Sequence, residues 1–369
     1  TAIDEGLKYV HNDACYPTII VIGQLLTALK SGQYDLNTTS VILAQTGGGC
    51  RATNYAAMAR KAFNDAGIPQ VPIFVLGGND QLGFPLTLQL FKNILIGIIY
   101  GDLLMRVLHQ IRPYEKRPGS AQKLYEYWAA KCKQDMLVES SHNFKSNVFG
   151  IVRDFDNLEI NEQQSKPRVG LVGEILVKYH PIANNHLVDL LEREGAEVVV
   201  PDMLDFFLYC AYDSKVHYDL LSGTWINKLK GNLFIKTVEF YRRHLRKALK
   251  SSHRFAPPLT IEHLANLAAK HLSLGNFTGE GWLLTGEMLE LIHSGVENIA
   301  CLQPFACLPN HITGKGMLKE LRRSYPNVNI IPIDYDPGAS EVNQLNRIKL
   351  MLAVAKGKIN QSVDCKLPV

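Results

Sequence analysis

Residues 40–76 decide how this chain is read. An apolar, β-branched run at 40–45 (SVILAQ) is followed by the turn Thr46-Gly47-Gly48-Gly49 and by Cys50. An amphipathic stretch at 51–66 (RATNYAAMARKAFNDA) comes next, then the stop Gly67-Ile68-Pro69 and a second apolar run at 71–76 (VPIFVL). A short apolar run bounded by turn signals reads as a buried strand, and a longer amphipathic one as a helix. Strand, helix and strand of these lengths make one right-handed crossover unit with parallel strands.

The same alternation extends outward. Helices are expected at about 86–111, 121–139 and 147–157, with a proline-containing break at 112–119. The polar stretch 161–166 (NEQQSK) reads as a linker. The pattern then restarts with strand 168–173 (RVGLVG), helix 184–194 stopped by Gly195, and strand 197–200 ended by Pro201. Charged helical sequence follows from about 204 to 274. After it come helix 281–293, strand 298–303, helix 311–324, strand 329–333 and a last helix at about 339–356. The expected fold is α/β: two flavodoxin-like (Rossmann-like) parallel-sheet domains, 1–160 and 161–369, the second with a helical insertion at about 204–280.

Composition narrows the function classes. With 46% hydrophobic and 20% charged residues, the 369-residue chain is neither disordered, collagen-like nor a coiled coil. A net charge of +4 is too small for a general nucleic-acid binder. The longest apolar stretches, 18–26 and 94–100, fall short of the ~20 residues that span a bilayer. The chain opens at Thr1 with no leader-like segment, so a processed product or a piece of a longer polypeptide is expected. Seven cysteines without a CxxC pair favour a reducing cytoplasm over a disulfide scaffold.

Three cysteines share a setting. Cys50 ends a strand-to-helix turn, Cys307 follows the strand at 298–303 with Pro309 just beyond, and Cys15 precedes Tyr16-Pro17 at an expected helix start. Strand-to-helix loops gather at the carboxyl edge of a parallel sheet, where ligands bind. A helix N-terminus also favours the thiolate. Two thiolates from the first domain and one from the second are what a cluster held across a cleft would need, and Gly48 and Gly49 would let backbone N–H groups approach its sulfurs. The separations, 35 and 257 residues, match no compact ferredoxin or zinc pattern. The competing reading is that each Cys is a small buried apolar residue. For Cys301, inside an expected strand, core packing is favoured and a fourth-ligand role stays open. Cys132, Cys210 and Cys365 read as structural or incidental.

At these residues the chain resembles, over nearly its whole length, the C-terminal region of large 2-hydroxyacyl-CoA dehydratase activase-related proteins. The resemblance is carried by Asp13-Ala14-Cys15-Tyr16-Pro17, by 46–55 (TGGGCRATNY), by 303–311 (QPFACLPNH) and by 333–347 (IDYDPGASEVNQLNR). More distantly the chain is similar to the cluster-bearing subunits of 2-hydroxyacyl-CoA dehydratases and benzoyl-CoA reductases, and to double-cubane cluster proteins. The resemblance implies an iron–sulfur cluster, 4Fe-4S or of double-cubane type, ligated by Cys15, Cys50 and Cys307. One iron position would be left open for water, substrate, Cys301 or a bridging sulfide. It places Gln344 and Arg347 on the final helix, lining the site. It implies an anaerobic cytoplasmic protein that accepts low-potential electrons from an ATP-dependent activase domain or protein and acts, as a dehydratase or reductase component, on an acyl-CoA or other small molecule. No nucleic acid or membrane partner is expected, and a homodimer is left open. The alternative is a non-catalytic electron-relay or assembly module of a larger fused activase.

The chain departs from that picture in carrying no Walker A motif; Gly314-Lys315-Gly316 is only a short echo. A phosphate-binding role for the glycines at 47–49 is a further, weaker reading. The basic run 240–254 (FYRRHLRKALKSSHR) would dock an acidic partner or CoA phosphates, or simply be a solvated helix face. Glu174 and Glu287 are candidate acid/base groups, against the commoner surface or capping role. His11 and His311, each four residues from a candidate ligand cysteine, would bond a cluster sulfur or donate a proton.

Overall fold

The structure, a computed structural model, describes residues 1–44, 49–76, 87–137, 143–163 and 165–364. It is mixed α/β with two small parallel sheets. The first sheet pairs β1 (Val41–Ala44) with β2 (Ile73–Leu76), in register from Val41 opposite Ile73 to Ala44 opposite Leu76. Val41 and Leu43 point to one side, where they pack with Ile19, Ile22 and Leu26 of helix Tyr16–Leu29 and Ala59 and Phe63 of helix Tyr55–Asp65. The crossover unit expected at 40–76 is therefore present. The helix at 51–66 begins as a 3₁₀ turn, Arg51–Asn54, before becoming α-helical at Tyr55.

The second sheet has four parallel strands: β3 (Arg168–Gly173), β4 (Glu197–Val199), β5 (Asn298–Pro304) and β6 (Asn329–Tyr335). Their spatial order is β4-β3-β5-β6, so the chain leaves β3 to one side and returns on the other. A parallel sheet needs both faces covered. One face packs on Tyr16 and Ile20, Leu187 and Leu191, and Ile348 and Met351 from the last helix, Glu341–Asp364. The other packs on Leu284, Met288 and Leu291 of helix Trp282–His293. At the carboxyl end of β3 a Cβ on Gly173 would lie 2.5 Å from the Leu302 carbonyl oxygen, so only glycine lets β3 and β5 approach this closely there.

The remaining helices form one apolar layer. Leu88–Ile111, Ser120–Leu137 and Phe144–Asp156 share a continuous core with Leu204–Leu220, Trp225–Ser251 and Ile261–Ala268. The expected insertion thus does not stand alone, since its helices bury their faces against helices from before residue 160. The segment Leu88–Tyr114 meets the length and hydropathy of a membrane-crossing helix, which counting apolar stretches overlooked. Leu95, Ile99, Leu103 and Val107 from it are buried in this core.

Charge fastens the layer. Asp102 accepts hydrogen bonds from the Met203 and Leu204 amides at 2.8 and 3.0 Å. Arg106 reaches Asp202 at 2.6 Å. The fully buried Arg242 divides its guanidinium between Asp202 and Asp205, both at 2.6 Å. Removing one partner of a buried pair leaves an uncompensated charge. Arg242→Met is therefore expected to cost about 3–5 kcal/mol in urea unfolding, and Asp205→Asn/Arg242→Met, which leaves Asp202 to Arg106, to recover part of it. A single variant as stable as wild type would contradict this account of the layer.

Candidate functional site

In an open parallel sheet the binding crevice lies beyond the carboxyl ends of the strands, where the strand order reverses. Here that point is between β3 and β5. Beyond β5 the chain turns through Phe305-Ala306, with Ala306 at φ 53°, a left-handed conformation that costs a non-glycine residue on the order of 1–3 kcal/mol. The turn delivers Cys307 to the head of a helical segment, where its carbonyl accepts from the His311 amide at 3.1 Å. The Tyr16 amide donates to the Phe305 carbonyl at 3.1 Å, and the Tyr16 ring stacks on Tyr335 with centroids 6.5 Å apart. These contacts bring the start of helix Tyr16–Leu29, with Cys15 at its N-cap, onto the exit of β5. Cys15 and Cys307 are each 7% exposed. The Cys15 sulfur lies 2.8 Å from Thr18 Oγ1.

Cys50, partly buried, occupies the N-cap of the 3₁₀ turn Arg51–Asn54. Gly49 faces Thr278, the start of the tight loop 278–281. Tyr55, at the head of the following helix, is within hydrogen-bonding reach of the Thr18 and Cys15 side chains. Burial is the largest cause pushing its hydroxyl well above the ordinary value.

Two buried carboxyls complete the cluster. Glu174 directly follows β3 and accepts from the Val177 amide at 3.0 Å; Glu280 accepts from the Ile175 amide at 3.1 Å. Burial, and then the nearby Glu280, push Glu174 up to about 8, and burial raises Glu280 as well. The protonated form of Glu174, which can donate, is thereby favoured. Burial and the same two carboxylates push the Cys307 thiol far above its ordinary range. Beneath them Lys178 pairs with Glu287 at 2.7 Å, both almost fully buried. Burial lifts Glu287 to about 7 against the pull of Lys178, and its Oε2 has no hydrogen-bond partner.

The fully buried Asn310 amide ties the site together. Its nitrogen donates to the Leu302 carbonyl at 3.3 Å and its oxygen accepts from the Glu174 amide at 3.1 Å. The oxygen end then lies 3.4 Å from the Cys307 sulfur. Turned over, the same amide would present N–H to a sulfur that has lost its proton. Gln303, also buried, leaves its Oε1 without a partner.

The Tyr16–Phe305 hydrogen bond sets the Cys15 end of its helix at the exit of β5, two residues before Cys307, and Glu174 lies near enough to Cys307 to raise its thiol, while Cys50 follows Gly49, which faces Thr278. Cys301 lies instead in the apolar cluster with Val172, Leu284 and Met288, and burial pushes its thiol up to about 12. Gln344 donates to the Asp334 carbonyl and accepts from Asn185, both at 2.9 Å, while Arg347 donates to the Pro332 carbonyl at 2.9 Å. Both hold the last helix against β6. Gly48 and Cys365 lie outside the described residues. His11 and His311 are exposed; Cys132 packs in the helical core. Glu280, Lys178 and Asn310 were missed as site residues in the sequence. Glu280 carried a readable signal, a carboxylate between Gly279 and Gly281, both with positive φ.

Among the described residues no three His, Cys, Asp or Glu side chains are arranged to hold a single metal ion. No family model, curated protein or solved structure matches the chain.

Glu174 sets a pH dependence. Between about 4.5 and about 8 the folded state keeps a proton on it that the unfolded chain releases. The unfolded state then binds fewer protons, and stability falls as pH rises through this window. Urea midpoints of the metal-free protein should decline across it, less steeply in Glu174→Gln. Equal slopes for the two proteins would contradict the buried, protonated carboxyl.

Proposed function

We propose that this chain is an iron–sulfur protein of the 2-hydroxyacyl-CoA dehydratase and benzoyl-CoA reductase type. On this reading it works in an anaerobic cytoplasm, takes low-potential electrons from an ATP-dependent activase and acts on a CoA thioester or another small substrate. The observation that carries the reading is the Tyr16–Phe305 hydrogen bond, which sets the Cys15 end of helix Tyr16–Leu29 at the exit of β5 two residues before Cys307, with Glu174 near enough to raise the Cys307 thiol. The order β4-β3-β5-β6 supports a flavodoxin-like plan for the second half, which we extend to the first.

The donor set suits the group. Thiolates are soft ligands that favour iron–sulfur chemistry over hard cations. Cys15, Cys50 and Cys307 would hold the cluster, which when bound supplies one-electron chemistry to a substrate at this edge. The chain's own residues do the rest. The Glu174 oxygen not engaged by Val177 holds a proton for a departing substrate oxygen. Gln303 Oε1 offers an unused acceptor to a substrate N–H or O–H. Asn310 positions Cys307, and Tyr55 with Thr18 closes the Cys15 side against water.

The near-complete burial of both sulfurs favours a second reading, an electron-relay module that never meets substrate. Anaerobic purification followed by iron and acid-labile sulfide analysis tests the shared premise. Wild type should carry both, Cys15→Ser, Cys50→Ser and Cys307→Ser should lose most of them, and Cys132→Ser should keep them. Absence of iron from wild type, or its retention in all three site variants, would overturn the assignment. Glu174→Gln separates the two readings. It should keep the iron and, if the site is catalytic, lower turnover across a panel of acyl-CoA thioesters by about 10²-fold or more.

A further inference from the structure

Helices Leu204–Leu220 and Trp225–Ser251 form a hairpin closed by residues 221–224. They lie so close that a Cβ on Gly231 would sit 2.4 Å from the Ala211 carbonyl oxygen. The inward face of the longer helix buries Ile235, Val238, Leu245 and Leu249 in the helical core. The outward face is unusual for an unpartnered surface. Ile226, Leu229 and Leu233 follow one another at helical spacing and are 48%, 57% and 64% exposed. A contiguous ridge of exposed large apolar side chains marks an interaction site.

Further along the same face the chemistry changes. Phe240 carries the Arg243 guanidinium over its ring at 3.5 Å, and Lys247 and Lys250 continue the line. The nearby carboxylates are already taken: Asp202 and Asp205 by Arg242, and Glu239 by Arg246. His244 records the resulting field. Burial, and then Arg243, Lys145 and Lys247, hold its imidazole below the ordinary value. The outward face therefore runs from the apolar 226–233 stretch, through exposed Lys236 and Phe240, to Arg243, Lys247 and Lys250.

That order selects the occupant. A helix lying on a membrane needs its apolar face and cationic flanks side by side along its length, not end to end. A second copy set antiparallel would lay cations on leucines, and one set parallel would lay cations on cations, so neither neutralises the charge. A helix-in-groove partner with an apolar stretch followed by carboxylates satisfies both halves. We propose that the outward face of helix Trp225–Ser251 docks an acidic amphipathic helix of another protein, its apolar half on Ile226–Leu233 and its carboxylates on Arg243, Lys247 and Lys250. The proposal does not depend on the iron–sulfur reading.

The probe is a synthetic helical peptide with one face of leucine over its first half and glutamate over its second, titrated against the full chain by fluorescence anisotropy. One-to-one binding is expected, weakened at least tenfold by Leu229→Asp/Leu233→Asp, by Arg243→Glu/Lys247→Glu/Lys250→Glu and by raised salt. Unchanged circular dichroism shows that these surface variants remain folded. Equal affinity for a peptide with leucine and glutamate interspersed would overturn the proposal. So would capture by phosphatidylcholine–phosphatidylserine vesicles in place of peptide binding, or a dimer in solution that Leu233→Asp abolishes.

Discussion

The hydrogen bond from the Tyr16 amide to the Phe305 carbonyl is the contact on which the site depends. It is a short-range link between segments almost three hundred positions apart, backed by the stacking of Tyr16 on Tyr335. Without it the first helix could still cover β1 and β2, but Cys15 would have no fixed relation to Cys307. The strained Ala306 backbone belongs to the same constraint, because it is what turns the exit of β5 toward Tyr16 while presenting Cys307 on the next step. Local strain of this kind persists only where surrounding contacts over-determine it, and such residues cluster at functional sites.

Burial raises most of the interior carboxyls, Asp102 and Asp205 of the helical layer included. In the helical layer Arg106 and Arg242 compensate Asp202, which stays below its ordinary range despite burial. At the carboxyl edge of the sheet Lys178, paired with Glu287, offsets only part of the burial of Glu174 and Glu280. Burial therefore outweighs it, and both carboxyls are shifted upward.

Much of the architecture was legible because its signals are local. The strand expected at 168–173 is β3 without adjustment, since an unbroken apolar run ending in glycine is the mark of a central parallel strand. The motif cysteines were legible as loop residues for the same reason. What the sequence hid was everything set by tertiary partners. Residues 311–324 read as one helix, yet the segment opens as a wide turn at Asn310–Gly314, because Asn310 is drawn to Leu302 and Glu174. The first half shows two strands among the described residues where a larger sheet was expected, since its three long helices pack on helices from beyond residue 204 instead of on a sheet of their own. Half of the basic run is spent internally: Arg242 on two aspartates, Arg246 on Glu239 and on two carbonyls, and Arg254 on the carbonyls of Phe155 and Leu158. A one-dimensional charge run carries no record of which side chains face inward.

The proposed metallocentre would be held by Cys15, Cys50 and Cys307 at the carboxyl edge of β3 and β5. Diffraction at the iron absorption edge from crystals grown without oxygen tests it most directly. The account predicts a single compact anomalous peak bounded by those three sulfurs, with Glu174 and Asn310 beside it. Iron located elsewhere in the chain, or anaerobic crystals with no anomalous signal at all, would contradict it.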